Sequence, residues 1–388
     1  MGSQLRLQES IDVFPSLNFD SQVKRFIDAC RDKGSRSSIL KYFRYHPLLK
    51  VHDIARAIYL LMALEEGQDL GLSFLDLDIL PSGGVRLFNR GGFPWQGLPY
   101  PAEQAELALL LLKIAEFYED SASFAVDIAR FQQVLFNHES IVFPSLWTQE
   151  CGRASKEKTG LCTTLLYQLD CQVDSEYQFS DNVLGLWVQR NRSFSAYVSG
   201  SGCKSGVGAY YLDDVGIVNY GPCYGDISDC SGFGICGSPK EFSLDSNGTV
   251  IFTSSTVLPC PRLTGFSYLQ DAYLGAHVVH SVHVEESRCE VISLLEDPQG
   301  MTFSIFAKGQ GCQVVNGPRL RSRSLDSYKG PINDILLQGE RMSLRIIASS
   351  SKMEIFSLEG GTRFWGSNFL ISFPYTNGEI RVLFEKNN

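Results

Sequence analysis

From about Gly185 onward the chain alternates apolar and polar residues with a period of two, and no long helical pattern interrupts it. Phe194, Ala196 and Val198 alternate with Ser195, Tyr197 and Ser199. Successive side chains of a strand point to opposite faces, so such alternation marks half-buried strands. The segments 207–212, 216–219, 250–253, 277–284, 290–294, 303–307, 313–315, 343–347, 353–356, 369–373 and 379–384 read the same way. That makes about a dozen strands, separated by Gly, Ser, Asn and Asp turns. Asn377-Gly378 between two apolar runs is a hairpin signal. Strands in this number without helices between them pack as antiparallel sheets in a sandwich. No repeat of fixed period is present, which argues against propellers and solenoids.

Residues 20 to 140 carry helical spacing instead. Phe26, Ile27 and Cys30 recur at three to four residues, with Gly34 as a stop. Further helices are expected over 37–45, over 53–66 with Ile54, Ala57, Ile58, Leu61 and Met62 on one face, and from Pro101 to Tyr118. Asp120 or Ser121 caps a last helix reaching His138, and the short link between the last two makes them an antiparallel pair. The fold class is therefore α+β and multidomain. A short helical N-terminal domain of antiparallel helix pairs (1–148) precedes a large antiparallel β-sandwich (149–388).

A net charge of −9 argues against a generic nucleic-acid binder. Arg319, Arg321, Arg323 and Lys329 form a local basic cluster, read as a solvated loop with an anion site as the alternative. Ten of the eleven cysteines fall between Cys151 and Cys312, without a CxxC pair or zinc-ligand spacing. An odd number of thiols, several within apolar runs, suits a reducing compartment. The opening MGSQLRLQES is polar, so no signal peptide is expected. No apolar run approaches the roughly 20 residues that cross a bilayer. The expectation is a soluble cytoplasmic protein without nucleic-acid or membrane partners and without a cofactor.

Complete catalytic motifs are absent. Gly200-Ser201-Gly202-Cys203-Lys204-Ser205 lacks the glycine before lysine that a phosphate loop needs, and β-like residues follow it. Ser201-x-x-Lys204 has the spacing of a serine β-lactamase motif but not its helix. His277, His280 and His283 lie close in sequence, yet on one regular strand His280 faces away from the other two. Interface or surface histidines are favoured over a metal site. The long Gly/Pro/aromatic segment 72–100 holds FNRGGFPWQGLPY, which crowds Asn89, Arg90, Trp95, Gln96 and Tyr100 together.

The order of elements, and above all SFSAYVSGSG, VGAYYLDD and VGIVNYGPCYGD between Phe194 and Asp226, resembles the heparinase II/III-like polysaccharide lyases. In that family a strand leads into a Gly-rich loop, a second strand, a tight turn and a third strand. The closing GGTRFWGSNFLISF is similar to late strands of such a sandwich. Two features depart from the pattern. Cys203-Lys204-Ser205-Gly206 stands where the family carries a His/Asn/Asp cluster, and the helical part is too short for a full toroid. The resemblance thus implies a truncated or catalytically altered relative that binds an acidic polysaccharide and carries β-elimination activity if its site is intact. The alternative is a non-enzymatic sandwich that binds a protein or a glycan.

Such elimination needs a group that neutralises the uronate carboxylate, a base for the C5 proton and an acid for the leaving oxygen. Residue type and expected location assign the first role to Arg90, with Asn89 and Gln96. Tyr100, Tyr210 and Tyr211 are candidates for base or acid, with His277 or His280 as substitutes, and Trp95 would stack on a sugar ring. The expected catalytic set is Tyr100, Arg90, Tyr210 and His277; the expected substrate-binding set is Asn89, Trp95, Gln96 and Tyr211.

Overall fold

A computed structural model describes residues 36–45, 49, 53–85, 101–136, 163–182, 185–199, 207–224, 235–257, 274–296, 301–322, 324, 326–359 and 366–387. The chain divides into two compact units, one holding the helices named below and the other both sheets. The helices are α1 (Arg36–Phe43), α2 (Asp53–Glu65), α3 (Pro101–Ile114) and α4 (Ser121–Gln132). The expected helix around Phe26 lies outside the described residues. α3 ends at Ile114 rather than Tyr118, because the N–H groups of Phe117 and Tyr118 both turn back to the Ile114 carbonyl. Asp120 precedes α4 without a side-chain capping bond. The Ser121 hydroxyl instead donates to the Leu111 carbonyl (2.8 Å), fastening α4 to α3. In α2, buried Arg56 donates to the carbonyls of Leu49 (2.7 Å) and Leu75, which satisfies a cation that burial would otherwise penalise.

The second unit consists of two antiparallel nine-stranded sheets. The first contains β1 (Tyr177–Asp181), β2 (Leu186–Arg190), β3 (Phe194–Ser199), β4 (Gly208–Leu212), β5 (Val215–Tyr224), β10 (Met301–Lys308), β13 (Ser327–Gly330), β16 (Met353–Ser357) and β17 (Phe369–Pro374). The second contains β6 (Ile235–Leu244), β7 (Thr249–Val257), β8 (Leu274–Val284), β9 (Arg288–Leu295), β11 (Gly311–Val314), β12 (Arg319–Arg321), β14 (Asp334–Gln338), β15 (Ser343–Ala348) and β18 (Glu379–Asn387). Their spatial orders are β1-β2-β3-β4-β5-β10-β17-β16-β13 and β12-β11-β14-β15-β18-β9-β8-β7-β6. Central joins such as β5–β10 and β9–β18 link strands far apart in the chain, so only long-range pairing closes either sheet.

Alternation selects the face that each strand buries. In β15, Leu344, Ile346 and Ala348 are buried while Ser343, Arg345 and Ile347 are only partly so. One hydrophobic cluster draws on both sheets, with Phe194, Tyr210, Tyr220, Phe303 and Ile371 from the first and Phe252, Val291, Ile346, Val382 and Phe384 from the second. The sheets thus share a single core, as face-to-face packing requires. At one end they are clasped through turns. The Asp214 carboxylate, beside left-handed Asp213 (φ 47°), accepts from the backbone N–H groups of Glu340 and Arg341. The Arg341 guanidinium reaches Asp213 at 2.6 Å. Gly339 permits this approach, since a Cβ there would collide with the Asp214 carboxylate.

Candidate functional site

Tyr210 and Tyr211 are adjacent on β4, so they face opposite sides of the first sheet. Tyr210 points into the shared core, against the rings of Phe194 (5.8 Å) and Phe384 (6.4 Å). Its hydroxyl donates to the carbonyls of Glu285 (3.2 Å) and Glu286 (3.0 Å). Burial, aided by the neighbouring negative charges, pushes its ionisation far above the ordinary tyrosine range. A phenol held in this way locks the β8–β9 turn onto β4. Tyr210→Phe is expected to cost about 1–2 kcal/mol of stability and to leave ligand binding unchanged. Denaturant melts alongside a binding titration check both halves, and unchanged stability with lost binding would give Tyr210 a functional role instead.

Tyr211 lies on the second face, opposite Ser195 of β3 and Gly216 of β5. Gly216 makes room for its ring, which a Cβ at that position would overlap. The alternation places Ser195, Tyr197 and Ser199 of β3, Asn219 of β5, Ser304 of β10 and Ser372 of β17 on that same face. All of them are buried. Strands covered on both sides ordinarily carry aliphatic side chains on both; here one side mixes hydroxyls and an amide with Val188, Ala209, Phe306 and Leu370. Ser304 and Ser372 pair hydroxyl to hydroxyl at 2.9 Å, and the Asn219 side-chain oxygen accepts the Tyr220 N–H at 2.8 Å. At the β2 end, Arg190 stands opposite Ser195. Its guanidinium donates to the carbonyls of Asp174 (2.7 Å) and Phe136 (2.6 Å) and lies 4.9 Å from the Tyr177 ring centre. Burial lowers the Arg190 pKa and raises that of Tyr177 to about 12. Chemically, this face is a buried polar layer whose groups are bonded within the protein, and it holds no proton-transfer pair among the described residues.

The three histidines of β8 occupy different surroundings. His277 pairs by register with Ser255, and its side chain lies outside the described residues. His280 is fully buried beside the Phe252 ring (4.9 Å), and neither ring nitrogen has a hydrogen-bond partner. Desolvation pushes its pKa down to about 3. His283 faces the other way, between the Thr249 hydroxyl (3.2 Å) and the Glu285 carboxylate (3.0 Å). Among the described residues no group of three His, Cys, Asp or Glu side chains is placed to hold a metal ion.

Asn89, Arg90, Trp95, Gln96 and Tyr100 lie outside the described residues, as does the loop containing Cys203 to Ser205. Of the expected set, the structure therefore locates Tyr210 in the core and Tyr211 on the hydroxyl-lined face. Ser199, Asn219, Ser304, Ser372 and Arg190 were not singled out from sequence. The alternation of β3, β10 and β17 contains the signal for the serines, but their grouping depends on strand register.

No family model matches the chain, and no curated protein matches it. Among solved structures it is similar to a heparinase III at 11% identity, with a TM-score of 0.47, over 97% of this chain and 60% of that one. It is also similar to a chondroitinase AC lyase (11% identity, TM-score 0.36, 92% of this chain and 72% of that chain). A chondroitin AC lyase from Streptomyces coelicolor matches at 7% identity and a TM-score of 0.38, over 99% of this chain and 66% of that one. The structural resemblance to these polysaccharide lyases is weak, and the chain spans 60% of the length of the heparinase III. Among the described residues no helix is long and apolar enough to cross a membrane.

Proposed function

We propose that the protein recognises acidic polysaccharide. Arg90 would pair with a uronate carboxylate, Asn89, Gln96 and Tyr211 would hydrogen-bond sugar oxygens, and Trp95 would stack on a ring. The observation that supports this reading is the segment FNRGGFPWQGLPY, which brings a guanidinium, two side-chain amides and stacking rings close together in the chain. If the set is complete, its chemistry is β-elimination. The C5 proton passes to Tyr100 or His277, the C4–O bond breaks, the leaving oxygen takes up a proton, and the product keeps a C4–C5 double bond. Free Cys171, Cys289 and Cys312 fit a reducing, cytoplasmic setting for this role.

A second reading, binding of a glycan or protein without catalysis, is favoured by Tyr210, whose hydroxyl is committed to two backbone carbonyls. One experiment separates the two. Retention of uronate polymers and release of unsaturated uronate are measured for the wild type, Arg90→Ala and Tyr100→Phe. The lyase reading expects Arg90→Ala to weaken binding about tenfold and Tyr100→Phe to stop release while binding persists. Binding without release by the wild type selects the non-enzymatic reading. Full activity in both variants removes these residues from the site.

A further inference from the structure

The basic cluster read as a loop in the sequence is in part a strand. Arg319 and Arg321 stand on β12, the edge strand of the second sheet, both exposed, with buried Leu320 between them. Residues two apart on a strand share a face, so the two guanidinium groups start roughly 7 Å apart on one side of the sheet. Across the ladder, Gln313 is opposite Arg319, Gly311 is opposite Arg321, and Gln338 of β14 is opposite Gly311 on its other side.

Gly311 forms a gap in this face. A Cβ placed on it would lie 3.4 Å from Arg319 Nε and 3.4 Å from Gln338 Oε1. The Arg319 side chain therefore leans across the glycine toward Gln338. Gln338 Oε1 is buried and accepts no hydrogen bond. Neither Arg319 nor Arg321 has an ion-pair partner among the described residues. Other arginines of the same unit do: Arg345 binds Asp334 (2.6 Å), Arg341 binds Asp213 (2.6 Å) and Arg381 faces Glu290 (3.6 Å). Lys329 of the same basic cluster is paired with Glu354, and Glu340 on the turn after β14 is held by Gln310 (2.7 Å).

We propose that Arg319, Arg321 and Gln338 around Gly311 form a separate contact strip for acidic polysaccharide, an inference that rests on the reading above. The two cations take carboxylate or sulfate groups, and an anion that draws Arg319 off the glycine uncovers the buried, unpaired Gln338 oxygen for a donor such as a sugar hydroxyl. An acidic sugar carries both groups within one ring. Nucleic acid is disfavoured by the net charge of −9 and, among the described residues, by the absence of an aromatic side chain opposite Arg319 or Arg321 across the ladder. An acidic peptide is the competing ligand.

The test titrates the full chain with heparin oligosaccharide, neutral dextran and poly-glutamate at low and high salt. The wild type should bind heparin, ignore dextran and lose affinity as salt rises. The double variant R319Q/R321Q should bind heparin about tenfold more weakly with a flatter salt dependence. Gly311→Val, which fills the gap and keeps both charges, should also weaken binding, and the thermal midpoint of each variant shows whether the fold is kept. Wild-type affinity in both variants overturns the strip; if Arg90→Ala then loses binding, the proposed function stands without it. Poly-glutamate binding as tightly as heparin replaces the saccharide by an acidic peptide. No heparin binding by the wild type removes both readings.

Discussion

Phe384→Ala is expected to lower the unfolding free energy of the β unit by about 3–5 kcal/mol, among the largest losses any single truncation should produce here. Phe384 is fully buried on β18 of the second sheet. Its ring meets Tyr210 (6.4 Å) and Tyr220 (5.5 Å) of the first sheet, and Tyr220 continues the stack to Phe303 (6.1 Å). Truncation removes these contacts and leaves a cavity that surrounding strands, hydrogen-bonded on both edges, close only in part. Phe384→Leu keeps most of the volume and should cost about half as much. Denaturant unfolding followed by near- and far-ultraviolet circular dichroism measures both. A loss below about 1 kcal/mol for the alanine variant would mean that the ring does not bridge the sheets.

The second large effect concerns pH. His280 sits on the core face of β8 between Phe252 of β7 and Ser293 of β9, and the Ser293 hydroxyl is already bonded to the Tyr375 hydroxyl (2.8 Å). No hydrogen-bond partner meets either imidazole nitrogen, so the folded protein holds the ring neutral, its pKa lowered from 6.5 to about 3 by burial. The unfolded chain binds the proton more readily. Above the unfolded pKa folding therefore carries no deprotonation cost at this ring, and stability is lost as pH falls from about 6.5 toward 3. Between about pH 7 and pH 4 the loss should be about 3 kcal/mol. Other carboxylates, Glu285 and Asp245 among them, add their own acid dependence. The informative quantity is thus the difference between the wild type and His280→Leu. The leucine variant should lack about 3 kcal/mol of the acid loss; equal acid dependence in the two proteins would show that His280 is solvated or paired.

Much of the sheet architecture was legible in the chain. Period-two alternation located β3, β7, β8, β10, β15, β16, β17 and β18, because apolar residues recur at every second position on the core-facing side of each, even where β3, β10 and β17 are buried on both faces. It missed β2, whose Leu186-Trp187-Val188 run is buried on both faces and so does not alternate. It missed β6, where Gly237, Ser238 and Pro239 read as a turn and the register with β7 shifts twice. β12 was read as loop because three residues carry too little pattern to outweigh their charge. The site was less legible than the fold. Tyr210 and Tyr211 looked alike in sequence, but one residue of pleat sends the first into the core and the second to the hydroxyl-lined face. The pairing of Ser304 with Ser372 arises from joining β10 to β17, strands separated by some sixty residues, and no local pattern encodes it.

The most direct test of the account is calorimetric titration of the full chain with a uronate oligosaccharide and with a neutral oligosaccharide of equal length. Saturable binding of the acidic ligand, weakened by salt, with no heat from the neutral one, is the expected result. Equal binding of both, or binding of neither, would contradict it.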